Sequence, residues 1–231
     1  MLIGRIGCGK SYIAQRLTET MGATRLSFGA AVYELAEAAI HRKIDKSRPG
    51  DREILTLVGT SWGRRGERVP TDLEARLADH WPGRHGYPDM WVDELQRRVM
   101  KLPKDSALVV DDTRFPNEFW RLRTAMKFVP TCVVCSSETR VRRLNQRGDR
   151  FLPLQDEHES EELPAKVSDL AINTNMMPVI WNDENCQKPD REWIFTLDEW
   201  LNAVEGLQLD CDDKILRDNI RGWKSHEYDA Y

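Results

Sequence analysis

No stretch of the 231 residues approaches the roughly 18 consecutive apolar positions that a membrane span needs. Met1 runs straight into Leu2, Ile3 and Gly4 without the charged and apolar regions of a secretory leader, so the chain reads as cytoplasmic. Five cysteines, an odd number without framework spacing, fit a reducing compartment better than a disulfide scaffold. Cys132 and Cys135 do form a C-x-x-C, but in an apolar strand-like run residues three apart face opposite ways, which favours two separately packed thiols over a redox or zinc site. Neither sign of charge is in excess: 34 Lys and Arg stand against 38 Asp and Glu, a net charge of -4. Global attraction to nucleic acid or to an anionic membrane is therefore excluded, and any polyanion contact must be local. Internal repeats are absent, and His41, His80, His85 and His226 have no metal-ligand spacing.

The charged share of 31% and the hydrophobic share of 40% are those of a globular protein of one or two domains. Apolar runs alternate with helical patterns, the signature of an α/β fold with a parallel sheet. Candidate strands are 1–3, 24–28, 107–111, 131–135 and 170–173. Helical spacing marks 10–21, closed by Gly22, and 117–127, 138–146 and 197–204. Between the second and third strands, 30–100 is mostly helical and broken by Gly/Pro/Arg-rich stretches. The polar, acidic segment 207–231 reads as an extension, and scattered Trp193, Trp200 and Trp223 as packing residues.

Gly4-Arg5-Ile6-Gly7-Cys8-Gly9-Lys10-Ser11 fits G-x-x-x-x-G-K-[ST], a phosphate-cradling loop between a strand and a helix. Glycines let the backbone curl until successive N–H groups point inward at phosphate oxygens, above the positive end of the following helix. Gly4, Gly7, Gly9, Lys10 and Ser11 are thus the expected ATP-binding residues. Lys10 reaches the β and γ phosphates, and the Ser11 hydroxyl ligates the Mg²⁺ that bridges them. Only three residues precede Gly4, so the first strand is short.

A second signal is the apolar run that ends in Asp111-Asp112-Thr113-Arg114-Phe115. Ligands of open α/β sheets bind at the carboxyl ends of strands. One carboxylate there suits a Mg²⁺ ligand or a proton acceptor, and Arg114 suits a bidentate phosphate clamp; the plain alternative is a turn with a helix cap. Arg140, Arg142, Arg143, Arg147 and Arg150 form a third signal. At helical spacing they make either a solvated face or a source of guanidinium groups for a transferring phosphoryl group, worth roughly 10³ to 10⁵ in rate.

Taken together, GRIGCGKS, REILTLVGTSWGRR from Arg52, DDTRFPNE from Asp111, and the run from RVRRLNQRGDR through DEHESEE to SDLAINTN resemble the phage-type deoxynucleoside monophosphate kinases. These are a branch of the P-loop nucleotide kinases, and the specific elements are Asp112-x-Arg114-Phe115-x-Asn117-Glu118 and His158-x-Ser160-Glu161. The resemblance implies a three-layer α/β sandwich with a five-stranded parallel sheet. It also implies a kinase domain over 1–206, with a helical substrate-binding insertion at 30–100, a lid at 138–165 and an extension at 207–231. ATP and Mg²⁺ would be the cofactors, and a deoxynucleoside monophosphate would become the diphosphate. Carried over by position, the catalytic set is Lys10, Asp112, Arg114, Arg143 and Arg147. Ser11 and Asp112 hold the metal, Arg52, Arg64, Asp111 and Arg114 meet the substrate, and His158, Ser160 and Glu161 order the closing segment. The expected partner is a free nucleotide or modified DNA, with no membrane and a homodimer left open; a phage-encoded chain would work in the host cytoplasm.

Phe28-Gly29-Ala30-Ala31-Val32-Tyr33 stands where that family often has Phe-Ala-Asp-Pro-Leu-Lys, and Gly59-Thr60-Ser61 lacks the glutamate common after Gly-Thr. Both departures fall in the acceptor pocket. They open a second reading, a kinase acting on a hydroxymethylated base within DNA, in which Asp111 or Asp112 takes the proton of an alcohol. A third, a P-loop ATPase or switch, lacks an obvious water-positioning glutamine.

Overall fold

A computed structural model of the chain describes residues 1–45, 47–48, 50–81, 86–147 and 159–204. Its strands are β1 (Leu2–Ile3), β2 (Thr24–Leu26), β3 (Leu108–Val110), β4 (Thr131–Val134), β5 (Val179–Trp181) and β6 (Ile194–Phe195). The first helices are α1 (Lys10–Met21), α2 (Phe28–Ile40), α3 (Asp51–Thr56), α4 (Thr71–His80) and α5 (Met90–Val99), with a π-helical segment at Leu57–Trp62. After β3 come α6 (Pro116–Thr124), α7 (Ser137–Gln146), α8 (Glu159–Asn173) and α9 (Leu197–Val204). Two compact units result, one from Met1–Arg25 and the chain from Ala107 onward, the other from Leu26–Ser106.

In the first unit four strands run parallel in the order β1-β4-β5-β6, while β2 and β3 make a separate two-stranded sheet. This corrects the expected single five-stranded sheet. The phosphate-loop motif begins at Gly4 and leaves β1 only two residues, whose register is with β4, Leu2 opposite Thr131 and Ile3 opposite Cys132. So short a strand offers little edge for a second ladder.

The strand expected at 170–173 is also corrected, because those residues form the last turn of α8. A four-residue apolar run does not declare its period, and Val167 and Ala171, four apart, are both fully buried as one helical stripe. The next sheet positions go instead to β5 and β6.

Alternation along the strands sorts the core into two faces. Leu2, Val133 and Ile180 share one face with Ile13, Ala14 and Leu17 of α1 and Trp200 of α9. Cys132 points the other way, where its thiol meets the Ser168 hydroxyl of α8 at 3.7 Å. Helices therefore cover both faces of the sheet, and the carboxyl ends of β1, β4 and β5 come to one edge.

The second unit is helical. Ser27 caps α2, its Oγ accepting from the Ala30 N–H at 3.2 Å, and the helix buries Phe28, Ala31, Val32, Leu35, Ala36 and Ala39. The buried Trp91 donates its indole N–H to the Gly59 carbonyl at 2.8 Å, pinning α5 to the π-helical segment. Asp51, fully buried, takes two bonds from Arg42 at 2.5 and 2.7 Å, which hold its carboxyl well below the usual range. Among the described residues no helix is long and apolar enough to cross a membrane.

Candidate functional site

From β1 the chain enters the glycine-rich loop and leaves it as α1. Gly7 (φ 83°) and Gly9 (φ 96°) lie in the left-handed region that favours glycine. Gly9 is the residue before α1 and offers no side-chain cap, and the first turn carries no acid. The amides of that turn thus lack the usual side-chain acceptor, the condition under which a helix start receives an anion. Lys10 folds back over the loop, its Nζ donating to the carbonyls of Gly4 at 2.5 Å and Arg5 at 3.1 Å. Ser11 is exposed beside it.

Side chains from three other elements hold the loop from outside. Arg140 of α7, almost wholly buried, donates Nε to the Ile6 carbonyl at 2.9 Å. Arg143 donates Nη1 to the Cys8 carbonyl at 3.3 Å, and Asn182, just past β5, donates Nδ2 to the same oxygen at 2.8 Å. Glu161, in the first turn of α8, accepts the Ile6 N–H at 2.8 Å. In a trans peptide the N–H lies opposite the carbonyl, so with the Ile6 and Cys8 carbonyls turned toward these donors the Gly7 and Gly9 N–H groups face the other way, as an anion-binding nest requires. Space is fixed as well: a Cβ on Gly7 would meet the Arg140 carbonyl and Leu144 at 3.2 Å, and one on Gly9 would collide with the Asn182 amide.

Glu184 anchors the scaffold, pairing with Arg142 and, at 2.6 Å, with Arg143. Asp183 accepts from the Ser136 N–H at 2.7 Å, the Thr139 hydroxyl at 2.8 Å and the Asn185 N–H at 3.0 Å. Burial pushes its carboxyl up, but these bonds outweigh burial and hold it at about 2. The start of α7 is thereby fixed to the end of β5.

At the end of β3, Asp111 is nearly buried and gripped at two points by Arg25 of β2, Nε to Oδ1 at 3.1 Å and Nη2 to Oδ2 at 2.5 Å. Asp112 follows, half-buried. The Glu118 carboxylate accepts the backbone N–H groups of Arg114 at 2.9 Å and Phe115 at 3.2 Å, fixing the entry to α6. The Arg114 guanidinium is 38% exposed, with Nη1 at 3.3 Å from both Ser160 Oγ and Glu161 Oε1.

Gly4, Gly7 and Gly9 thus share one loop, Lys10 and Ser11 open the helix that leaves it, and Glu161 joins Arg114 to the loop. Arg143 reaches the loop at the Cys8 carbonyl. Arg147 is exposed at the end of α7, and its backbone N–H bonds to the carbonyls of Arg143 and Leu144. Arg52, exposed on α3, and Arg64, which donates to the Gly59 carbonyl at 3.0 Å, belong to the second unit. Arg150, His158 and the extension 207–231 lie outside the described residues. Cys132 and Cys135 are free thiols, both pushed up to about 12 by burial. Among the described residues no three His, Cys, Asp or Glu side chains gather into a metal cage. The donors present, the Ser11 hydroxyl and the Asp112 carboxylate, suit Mg²⁺, which usually takes one or two protein ligands and completes its shell with phosphates and water.

Sequence reasoning missed Arg25, Asn182, Asp183 and Glu184. The polar run Asn182–Asn185 directly follows an apolar strand, the same signal as at Asp111–Arg114, but a last strand expected at 170–173 leaves that run outside the sheet edge. Arg25 carried no local signal, since its partner is 86 residues away.

No curated protein matches the chain. The family model AAA_18, described as an AAA domain, matches residues 1–163, which take in the glycine-rich loop, Asp111–Arg114, all of α7 and the start of α8. That family is P-loop NTPase-like and includes kinases. With most of its length covered by that model, the chain belongs to the AAA_18 family.

Proposed function

We propose that the protein transfers a phosphoryl group from ATP, with Mg²⁺, to a deoxynucleoside monophosphate, giving the diphosphate. The observation that carries this reading is the pairing of two cationic sites through one part of the fold. A lysine-bearing phosphate loop stands on one side, and Arg114, its guanidinium part exposed at the end of a strand, stands on the other. Phosphoryl transfer between two phosphates needs one such site for donor and one for acceptor.

In this reading Lys10 leaves the Gly4 and Arg5 carbonyls for the β and γ oxygens, while the amides at the start of α1 orient the donor. Ser11 and Asp112 would hold Mg²⁺, which when bound neutralises charge on the phosphates. Arg114 aims the acceptor phosphate, already ionised, so no strong general base is required. Arg147, exposed at the end of α7, meets the transferring group, and Arg143 acts by holding the Cys8 carbonyl. The resemblance further assigns Arg52 and Arg64, which lie in the second unit, to the substrate. The two-point grip of Arg25 on Asp111 gives that residue a supporting part and counts against it as the base that an alcohol on a DNA base would need.

Incubation with ATP and Mg²⁺, offering each deoxynucleoside monophosphate and, separately, DNA carrying hydroxymethylated bases, tests the proposal. ADP formation that depends on a free monophosphate is the expected result. Phosphate carried only by the oligonucleotide would transfer the assignment to the DNA-directed reading, and ADP formed equally without any acceptor would overturn both.

A further inference from the structure

Glu161 is a nearly buried carboxylate, its side chain 5% exposed, whose two oxygens serve different elements. Oε2 accepts the Ile6 N–H of the phosphate loop at 2.8 Å, and Oε1 faces Nη1 of Arg114 at 3.3 Å. The two contacts are unequal. The first has the length of a normal hydrogen bond, whereas charge-assisted bonds from arginine usually run about 2.7–2.9 Å, so the guanidinium is held loosely. It also keeps substantial exposure, so an incoming anion can reach it while the carboxylate stays in place.

We propose that Glu161 is a positioning residue that couples the phosphate loop to Arg114: one oxygen sets the loop amide, the other aims the guanidinium, and each site feels the other through a single carboxylate. The proposal rests on the kinase reading for the role of Arg114. When the acceptor phosphate draws the guanidinium away, Oε1 loses its cation and the carboxylate's hold on Ile6 changes. By linkage, nucleotide in the loop must then alter acceptor binding by the same factor as acceptor alters nucleotide binding. A purely structural Glu161, supporting the start of α8, would couple nothing.

The test compares Glu161→Gln, Glu161→Ala, Arg114→Ala and Arg114→Ala/Glu161→Ala. Its readouts are the Kd of a nonhydrolysable ATP analogue with Mg²⁺, measured by calorimetry without acceptor, and the acceptor KM and kcat. Glutamine keeps an oxygen for the Ile6 N–H but loses the charge facing Arg114. Glu161→Gln should therefore keep nucleotide Kd within about twofold while acceptor KM rises about tenfold. Glu161→Ala should raise both about tenfold, and Arg114→Ala should shift nucleotide Kd without adding to the alanine variant's effect. Wild-type Kd and KM in both Glu161 variants, or strictly additive nucleotide effects at the two positions, would overturn the proposal. Should Glu161→Ala fail to fold, the KM-against-Kd split in Glu161→Gln decides it. A wild-type protein that binds nucleotide but phosphorylates no acceptor would remove the kinase reading alone; non-additivity in nucleotide Kd then still decides whether Glu161 couples the two sites.

Discussion

Substituting Gly9 by alanine should separate backbone strain from the support that keeps the phosphate loop in shape. Gly9 sits at φ 96°, and an L residue in the left-handed region costs about 1–2 kcal/mol. A Cβ there also runs into the Asn182 amide, whose donation to the Cys8 carbonyl at 2.8 Å is worth about 1 kcal/mol. Gly9→Ala should therefore destabilise by about 2–3 kcal/mol. Gly22, at φ 65° with nothing within 4 Å of its added Cβ, supplies the control: Gly22→Ala carries strain alone, about 1 kcal/mol. Urea unfolding measures both. Binding of an ATP analogue with Mg²⁺ should weaken about 100-fold in Gly9→Ala, the equivalent of losing one or two bonds to a charged oxygen, and stay unchanged in Gly22→Ala. In an Asn182→Ala background the stability cost of Gly9→Ala should fall by about 1 kcal/mol. Equal stability losses at the two glycines, together with unimpaired binding in Gly9→Ala, would refute the reasoning.

Arg25→Ala leaves the nearly buried Asp111 carboxylate without its two-point partner; with Arg25 itself part exposed, the cost should be about 2 kcal/mol in urea unfolding, and a loss below about 0.5 would contradict the pairing. Asp183 is held at about 2 against an ordinary 3.8, so its contribution is complete above about 3.8 and disappears as pH falls through about 2. The stability deficit of Asp183→Asn should accordingly be largest near neutral pH and shrink on acidification; a deficit that does not change between pH 7 and pH 2 would contradict this. A thiol reagent at pH 8 should modify exposed Cys186 in the native protein and reach buried Cys132 only on unfolding, as its labelling rate in native and denatured protein will show.

The parts of this site that were legible in the sequence are those whose physics is local. Glycines and a lysine at fixed spacing must form the curl that Gly7 and Gly9 adopt, and the apolar spacing from Ile13 to Leu17 with Gly22 behind it brackets α1 at the residues observed. Non-local chemistry stayed hidden. Nothing near Arg25 announces Asp111, and the arginines of α7 read equally as a solvated face or as lid donors, whereas Arg140 and Arg143 proved to hold loop carbonyls. The misplaced strand has the same origin: Leu170-Ala171-Ile172 is too short to reveal its period, and tertiary packing of Val167 and Ala171 on one stripe settled it as helix. At the π-helical segment Leu57–Trp62, too, the partner is distant: Trp91 reaches the Gly59 carbonyl from 32 residues away in sequence.

The proposed function requires that the glycine-rich loop receive the phosphates of ATP. Amide resonances of isotopically labelled protein, followed while a nonhydrolysable ATP analogue is added with Mg²⁺, test this directly. The largest shifts should fall at Gly7, Cys8, Gly9, Lys10 and Ser11, and Lys10→Ala should abolish them while leaving the remaining spectrum that of a folded protein. Saturating nucleotide that moves other amides and leaves those five unchanged would contradict the assignment.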